Sequence, residues 1–142
     1  MSKVNARFLL AALSLVAISG AAAREKPPHE SLLISTEFLG CSGEPDRADL
    51  KPTARRLTIN NTVTFLVSAV DSCGFSGRNL TPVWKEDQLD LTFETFSPDG
   101  SVVMCYCEYW AKFTFDELAM YLPEVTVNGQ KPVLVGEWPD GR

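Results

Sequence analysis

Two cysteines stand one residue apart, Cys105 and Cys107, in the run Met104-Cys105-Tyr106-Cys107-Glu108-Tyr109-Trp110-Ala111-Lys112-Phe113-Thr114-Phe115. β-branched and aromatic residues suit a pleated, half-buried surface, and neither Gly nor Pro interrupts the stretch from Val102 to Phe115. The run therefore predicts a strand. Successive side chains on a strand point to opposite faces. The odd-numbered residues from Val103 to Phe115 are all apolar or sulfur-bearing and form the expected core face. The even-numbered ones, with Tyr106, Trp110 and two charges at Glu108 and Lys112, form the wetter face.

On this alternation Cys105 and Cys107 point the same way, about 6.6 Å apart along an extended strand. A disulfide needs Cβ atoms about 3.5–4.5 Å apart. The two therefore do not bond each other, and each needs a partner from the other cysteines of the chain, Cys41 and Cys73. Two pairings remain open: Cys41–Cys105 with Cys73–Cys107, or Cys41–Cys107 with Cys73–Cys105. Disulfide pairing is expected because the chain carries the marks of export. Lys3 and Arg7 give a basic start, Phe8 to Ile18 is apolar but too short to span a bilayer, and Ala21 and Ala23 sit as in a small-residue cleavage site. Residues 1–23 are thus read as a secretory signal peptide, with a secreted or periplasmic destination and no membrane anchor after its removal. Four cysteines in an oxidising compartment form two bridges.

At 142 residues the chain holds one domain. Removal of residues 1–23 takes Lys3 and Arg7 and no acid, leaving 11 basic against 18 acidic residues, or −7. Such a balance argues against nucleic acid or an anionic membrane as partner. Residues 24–30, with Pro27-Pro28 and His29, read as a disordered lead. Residues 31–138 read as the folded domain and 139–142 as a tail.

Within the domain, Ser31–Leu39, Arg56–Ile59, Thr62–Val70, Gln88–Phe96, Glu124–Val127 and Pro132–Val135 read as strands beside the central run, and Val83-Trp84 as a short edge piece. Asn60-Asn61 and Asn128-Gly129 are tight-turn signals. Ser97-Pro98-Asp99-Gly100 is a further turn, expected to join Gln88–Phe96 to the central run as an antiparallel hairpin. Cys41–Arg55 and Asp71–Pro82 read as loops, and Asp116–Pro123 as a helical turn. Seven to eight short strands with frequent turns predict an all-β fold: a small antiparallel β-sandwich, immunoglobulin-like, with two disulfides, or alternatively a closed β-barrel.

Chemistry is sparse. The sole histidine, His29, lies in the lead, so a Ser–His or Cys–His site is not expected. Asp90 and Glu94, with Glu86 and Asp87 before them, are the available paired carboxylates, but they read as a charged solvent row on a strand. Asn60-Asn61-Thr62 and Asn79-Leu80-Thr81 match glycan acceptor sequences, relevant only in a eukaryotic secretory route. Phe75 and Arg78 sit beside the tethering Cys73, and Tyr106 and Trp110 on the wetter strand face; these four are the interaction candidates. The expectation is an exported, non-enzymatic interaction module without cofactor, binding a protein or cell-envelope component as an inhibitor or accessory subunit. The alternative is a sulfur-ligand metal protein, with Met104, Cys105 and Cys107 binding copper(I) or zinc.

Overall fold

The computed structural model describes residues 32–45, 50–85, 88–116, 124–136 and 138. The expected signal peptide, the lead, the helical turn after Asp116, Glu86, Asp87 and the tail lie outside the described residues. Eight strands follow in order: β1 Leu33–Cys41, β2 Thr53–Ile59, β3 Thr62–Ser72, β4 Ser76–Lys85, β5 Gln88–Phe96, β6 Tyr106–Phe115, β7 Glu124–Val127 and β8 Val133–Val135. They make two packed sheets, a five-stranded one in the order β1-β6-β3-β2-β8 and a three-stranded one in the order β4-β5-β7. The chain is thus an all-β sandwich. Most pairs are antiparallel, and β2–β8 and β5–β7 are parallel.

Alternation on the central strand places Cys107, Tyr109, Ala111, Phe113 and Phe115 inward and buried, with half-buried Glu108, Trp110, Lys112 and Thr114 between them. Val63, Phe65 and Val67 of β3 continue this inner face, and Leu89, Leu91 and Phe93 of β5 meet it from the other sheet. Each such side chain contributes roughly 1.5–3 kcal/mol when fully buried. Trp138 packs its ring 5.9 Å from Phe65.

Strand β6 begins at Tyr106, later than the sequence run predicts. Its neighbour β3 ends at Ser72, which pairs with Tyr106, and then turns at Cys73-Gly74, so Val102–Met104 have no ladder to join. The Ser97–Gly100 turn forms, with Gly100 N donating to Ser97 O at 3.4 Å, but the expected hairpin does not. Strand β5 pairs with β4 and β7, whereas β6 pairs with β1 and β3. The turn instead starts a crossing from one sheet to the other, because both edges of β5 are already occupied. Asn128-Gly129 behaves similarly. Both residues have positive φ, 49° and 75°, and Val127 and Gln130 exchange two 2.9 Å hydrogen bonds. Beyond this one bridge β7 joins β5 in one sheet and β8 joins β2 in the other. Asn60-Asn61 does close a true hairpin, with Ile59 opposite Thr62.

The expected loop Asp71–Pro82 is mostly strand. Only Cys73–Phe75 separates β3 from β4, which runs to Lys85 along the edge of the smaller sheet. Its Gly77, its irregular step between Arg78 and Thr81, and Pro82 are tolerated because an edge strand need not offer a complete ladder. Asp90 also departs from expectation: it is buried, not on a wet face. Its Oδ1 accepts from Thr126 Oγ1 and Gly129 N, both at 2.9 Å, and so fixes the Asn128-Gly129 turn and the parallel β5–β7 pair.

Candidate functional site

The two disulfides settle the open pairing: Cys41–Cys107 and Cys73–Cys105, with Cα separations of 5.7 and 5.6 Å. Both lie within the larger sheet, unlike the inter-sheet bridge of an antibody domain. Cys73 follows the end of β3 and Cys105 precedes β6; Cys73 N also donates to Cys105 O at 3.1 Å. Cys107 is on β6 itself and reaches Cys41 at the end of β1. The start of the central strand is therefore bolted to the strand on each side of it. Two disulfides fit an oxidising, extracytoplasmic setting.

Three connecting segments meet at this end of the sandwich: the one after Cys41, the turn Cys73–Phe75, and the crossing Ser97–Cys105. Each is anchored. Tyr109, buried at the base, donates its hydroxyl to Ser72 O and accepts from Phe75 N, both at 2.8 Å. Ser42 N donates to Glu108 O at 3.0 Å, Glu108 N to Gly43 O at 2.9 Å, and Trp110 Nε1 to Ser42 Oγ at 3.0 Å. Asp71 accepts a short hydrogen bond from Thr95 Oγ1, which ties the two sheets together. Asp99 accepts from Ser101 Oγ at 2.7 Å and from Ser101 N and Ser97 Oγ at 2.9 Å. These bonds, with the Ser101 side chain first among them, pull its carboxyl down from 3.8 to about 2.

On this anchored base stands an apolar tip. Val102 is 69% exposed, Val103 47%, Tyr106 60% and Leu50 45%, and Met104 is fully exposed. Two shallow grooves share Met104, Cys105 and Tyr106 in their walls. The larger, about 350 Å³, is bordered by Glu44, Pro45, Leu50 and Tyr106. The smaller, about 250 Å³, is bordered by Ser72, Val102, Val103 and Tyr106. Scattered exposed apolar residues are ordinary; here four of the five fall within Val102–Tyr106, and Leu50 shares the larger groove with Met104 and Tyr106.

Of the four interaction candidates from sequence, Tyr106 alone belongs to this tip. Trp110 lies on the same outer sheet face but is half-buried and tethered to Ser42. Phe75 is half-buried against the core. Arg78 sits on β4 in the other sheet, where its Nε meets Glu94 Oε2 at 3.0 Å and its guanidinium lies 4.7 Å from the Phe96 ring centroid. The four do not form one surface. Leu50, Val102 and Val103 were missed, and Met104 entered only as a metal ligand. Extending strand alternation back through Val102 hid the tip. The signal that finds it is a Val-Val-Met run directly after a Gly-Ser turn, with no polar residue to solvate it.

Asp90 and Glu94 do not pair. Glu94 is exposed and holds Arg78 and Asn79, while Asp90, four residues away along a strand and thus about 13 Å distant, is buried under the Asn128-Gly129 turn. Cys105 and Cys107 are each bonded to another cysteine, so a thiolate metal site would require both bridges to be reduced. Among the described residues, no group of three or more His, Cys, Asp or Glu is arranged to hold a metal ion.

The fold and site together define a disulfide-bonded β-sandwich with a braced apolar end. No protein-family model, curated protein or solved structure matches the chain.

Proposed function

We propose that this chain is an exported, non-enzymatic interaction module, secreted or periplasmic, that binds a protein or cell-envelope partner through its disulfide end. The observation that carries the reading is the exposed group Val102, Val103, Met104, Tyr106 and Leu50, raised on a base that two disulfides and the Tyr109 hydroxyl hold in place. Pre-ordering a contact loop removes the entropy loss that binding would otherwise incur. Large, adaptable apolar side chains such as Met and Tyr are the types enriched at interface centres.

A photo-reactive residue placed at position 104 tests this, with one at position 59 as control. Ile59 is 73% exposed and lies at the tip of the β2–β3 hairpin, at the opposite end of β3 from Cys73. Irradiation of the oxidised protein in the exported fraction of its source is expected to give a discrete adduct from position 104 and none from position 59. Identical patterns from both positions, or no adduct from either, would overturn the reading.

A further inference from the structure

We propose that the inner bridge, Cys73–Cys105, is a thiol–disulfide exchange site, which a dithiol reductant opens in the folded protein by attacking Cys105 while Cys41–Cys107 stays closed. The proposal stands apart from the docking reading above. Exchange needs one sulfur that a thiolate can reach and a partner sulfur that can leave as a thiolate. Cys105 lies in the wall of both grooves at the tip, between fully exposed Met104 and exposed Tyr106. Its partner Cys73 is half-buried at the turn after β3, next to exposed Gly74, so the departing thiolate keeps contact with solvent. The outer bridge fails the second requirement. Cys41 is exposed, but attack there would expel the sulfur of Cys107, which is 0% exposed within the core. A charge released into an apolar interior lacks the solvation that lets a thiolate leave. The same burial closes Cys107 itself to a reagent from solvent. The chain-entropy contributions of the two bridges are similar, so the distinction is one of rate.

The incoming thiolate bonds Cys105 Sγ, the S–S bond breaks, and its electron pair departs with Cys73 Sγ, which takes up a proton. The donor's second thiol then loses its proton and displaces Cys105 from the mixed disulfide. In sum the bridge gains two electrons and two protons, and the dithiol becomes a disulfide. Opening this bridge alone removes the covalent tie between the Ser97–Cys105 crossing and the end of β3, and leaves β1 bolted to β6 through Cys107.

The test treats the oxidised full chain with dithiothreitol in the absence of denaturant, traps free thiols with N-ethylmaleimide at timed intervals, and maps them by peptide mass. Cys73 and Cys105 should become labelled at least about tenfold faster than Cys41 and Cys107, as when one leaving thiolate is solvated and the other is not. The rate should rise linearly with dithiothreitol, as direct attack on the folded state requires. Glutathione, a monothiol, should leave its mixed disulfide on Cys105. Reduced thioredoxin in place of dithiothreitol tells the sources apart: opening of the same bridge by both admits a protein donor, and opening by dithiothreitol alone restricts the donor to a small dithiol. Equal labelling of all four cysteines, earlier labelling of Cys41 and Cys107, or a glutathione adduct on any other cysteine would overturn the proposal. So would a rate that levels off with rising dithiothreitol and increases with urea, since the bridges would then open through unfolding.

Discussion

The ring of Phe38 fills the space where Gly77 has no side chain: a Cβ at Gly77 would come within 2.1 Å of Phe38 Cδ2. The contact joins β1, an edge of the larger sheet, to β4, an edge of the smaller one. Phe38 in turn stacks 6.0 Å from Tyr109 and lies 6.2 Å from Phe93. Gly77→Ala is therefore expected to destabilise the fold by about 1–3 kcal/mol, the usual range for overpacking. Phe38→Leu in the same chain should recover part of that loss. A double-mutant cycle by urea unfolding reads the coupling, and strict additivity would show that the ring moves aside freely.

Asp90 supports a second expectation. As a buried acceptor for both Thr126 Oγ1 and Gly129 N, it cannot be removed without stranding a donor. Asp90→Ala should cost about 2–4 kcal/mol in urea unfolding, and Asp90→Asn less, since one amide oxygen remains. Hydrogen exchange at the Gly129 amide should accelerate in the alanine variant.

The bridges are nested, with Cys73–Cys105 spanning 32 residues inside the 66 of Cys41–Cys107. With the inner bridge closed, the outer loop shortens from 66 to about 34 residues. Chain-entropy arguments then give each single removal a similar cost, about 3–4 kcal/mol. Cys41→Ala with Cys107→Ala and Cys73→Ala with Cys105→Ala, each compared with the parent in urea, check this. Any excess for the first pair reports the buried position of Cys107, which is 0% exposed.

Asp99 predicts an acid dependence. Its folded carboxyl titrates at about 2, below the value of about 3.9 for an unfolded Asp. The folded state thus holds fewer protons between these values, and the stabilisation is present above about pH 4 and lost as pH falls through about 2. Asp99→Asn should lower the urea midpoint above pH 4, and the two curves should converge toward pH 2. A constant gap across that window would place the effect elsewhere.

What could be read from the chain was what local chemistry decides. Gln88–Phe96 and Glu124–Val127 are strands over the same residues as in the structure, and the inner face of β6 follows alternation from Cys107 to Phe115. Strand spacing alone kept Cys105 from Cys107. The partners of each strand were not legible. Ser97–Gly100 and Asn128-Gly129 have the residues of a reversal, but a reversal does not say which sheet the next strand enters. Ser76–Lys85 was hidden by Gly77, Asn79 and Pro82, residues that an interior strand would reject and an edge accepts. A carboxylate alternating with leucines reads as solvent-facing, but the donors of Asp90 come from β7 and the turn after it, more than thirty residues later. The tip was lost for a related reason. Val102–Met104 have strand composition but no neighbour to pair with, and the end of β3 is a fact about another part of the chain.

The twin attachment of Cys105 and Cys107 bears on how this topology is reached. In a reduced chain, β6 must find β1 and β3 across long stretches of sequence, and such non-local pairing is slow. In an oxidised but denatured chain, both searches are already over at one end: β1 and β3 stay leashed to the same short segment, each within a few residues of its native register. The five-stranded sheet can then close like a fastener from that end, as if its contacts were local. Stopped-flow refolding with the bridges intact should outpace refolding of the four-alanine variant under matched conditions, and equal rates would mean that the slow step lies in the smaller sheet.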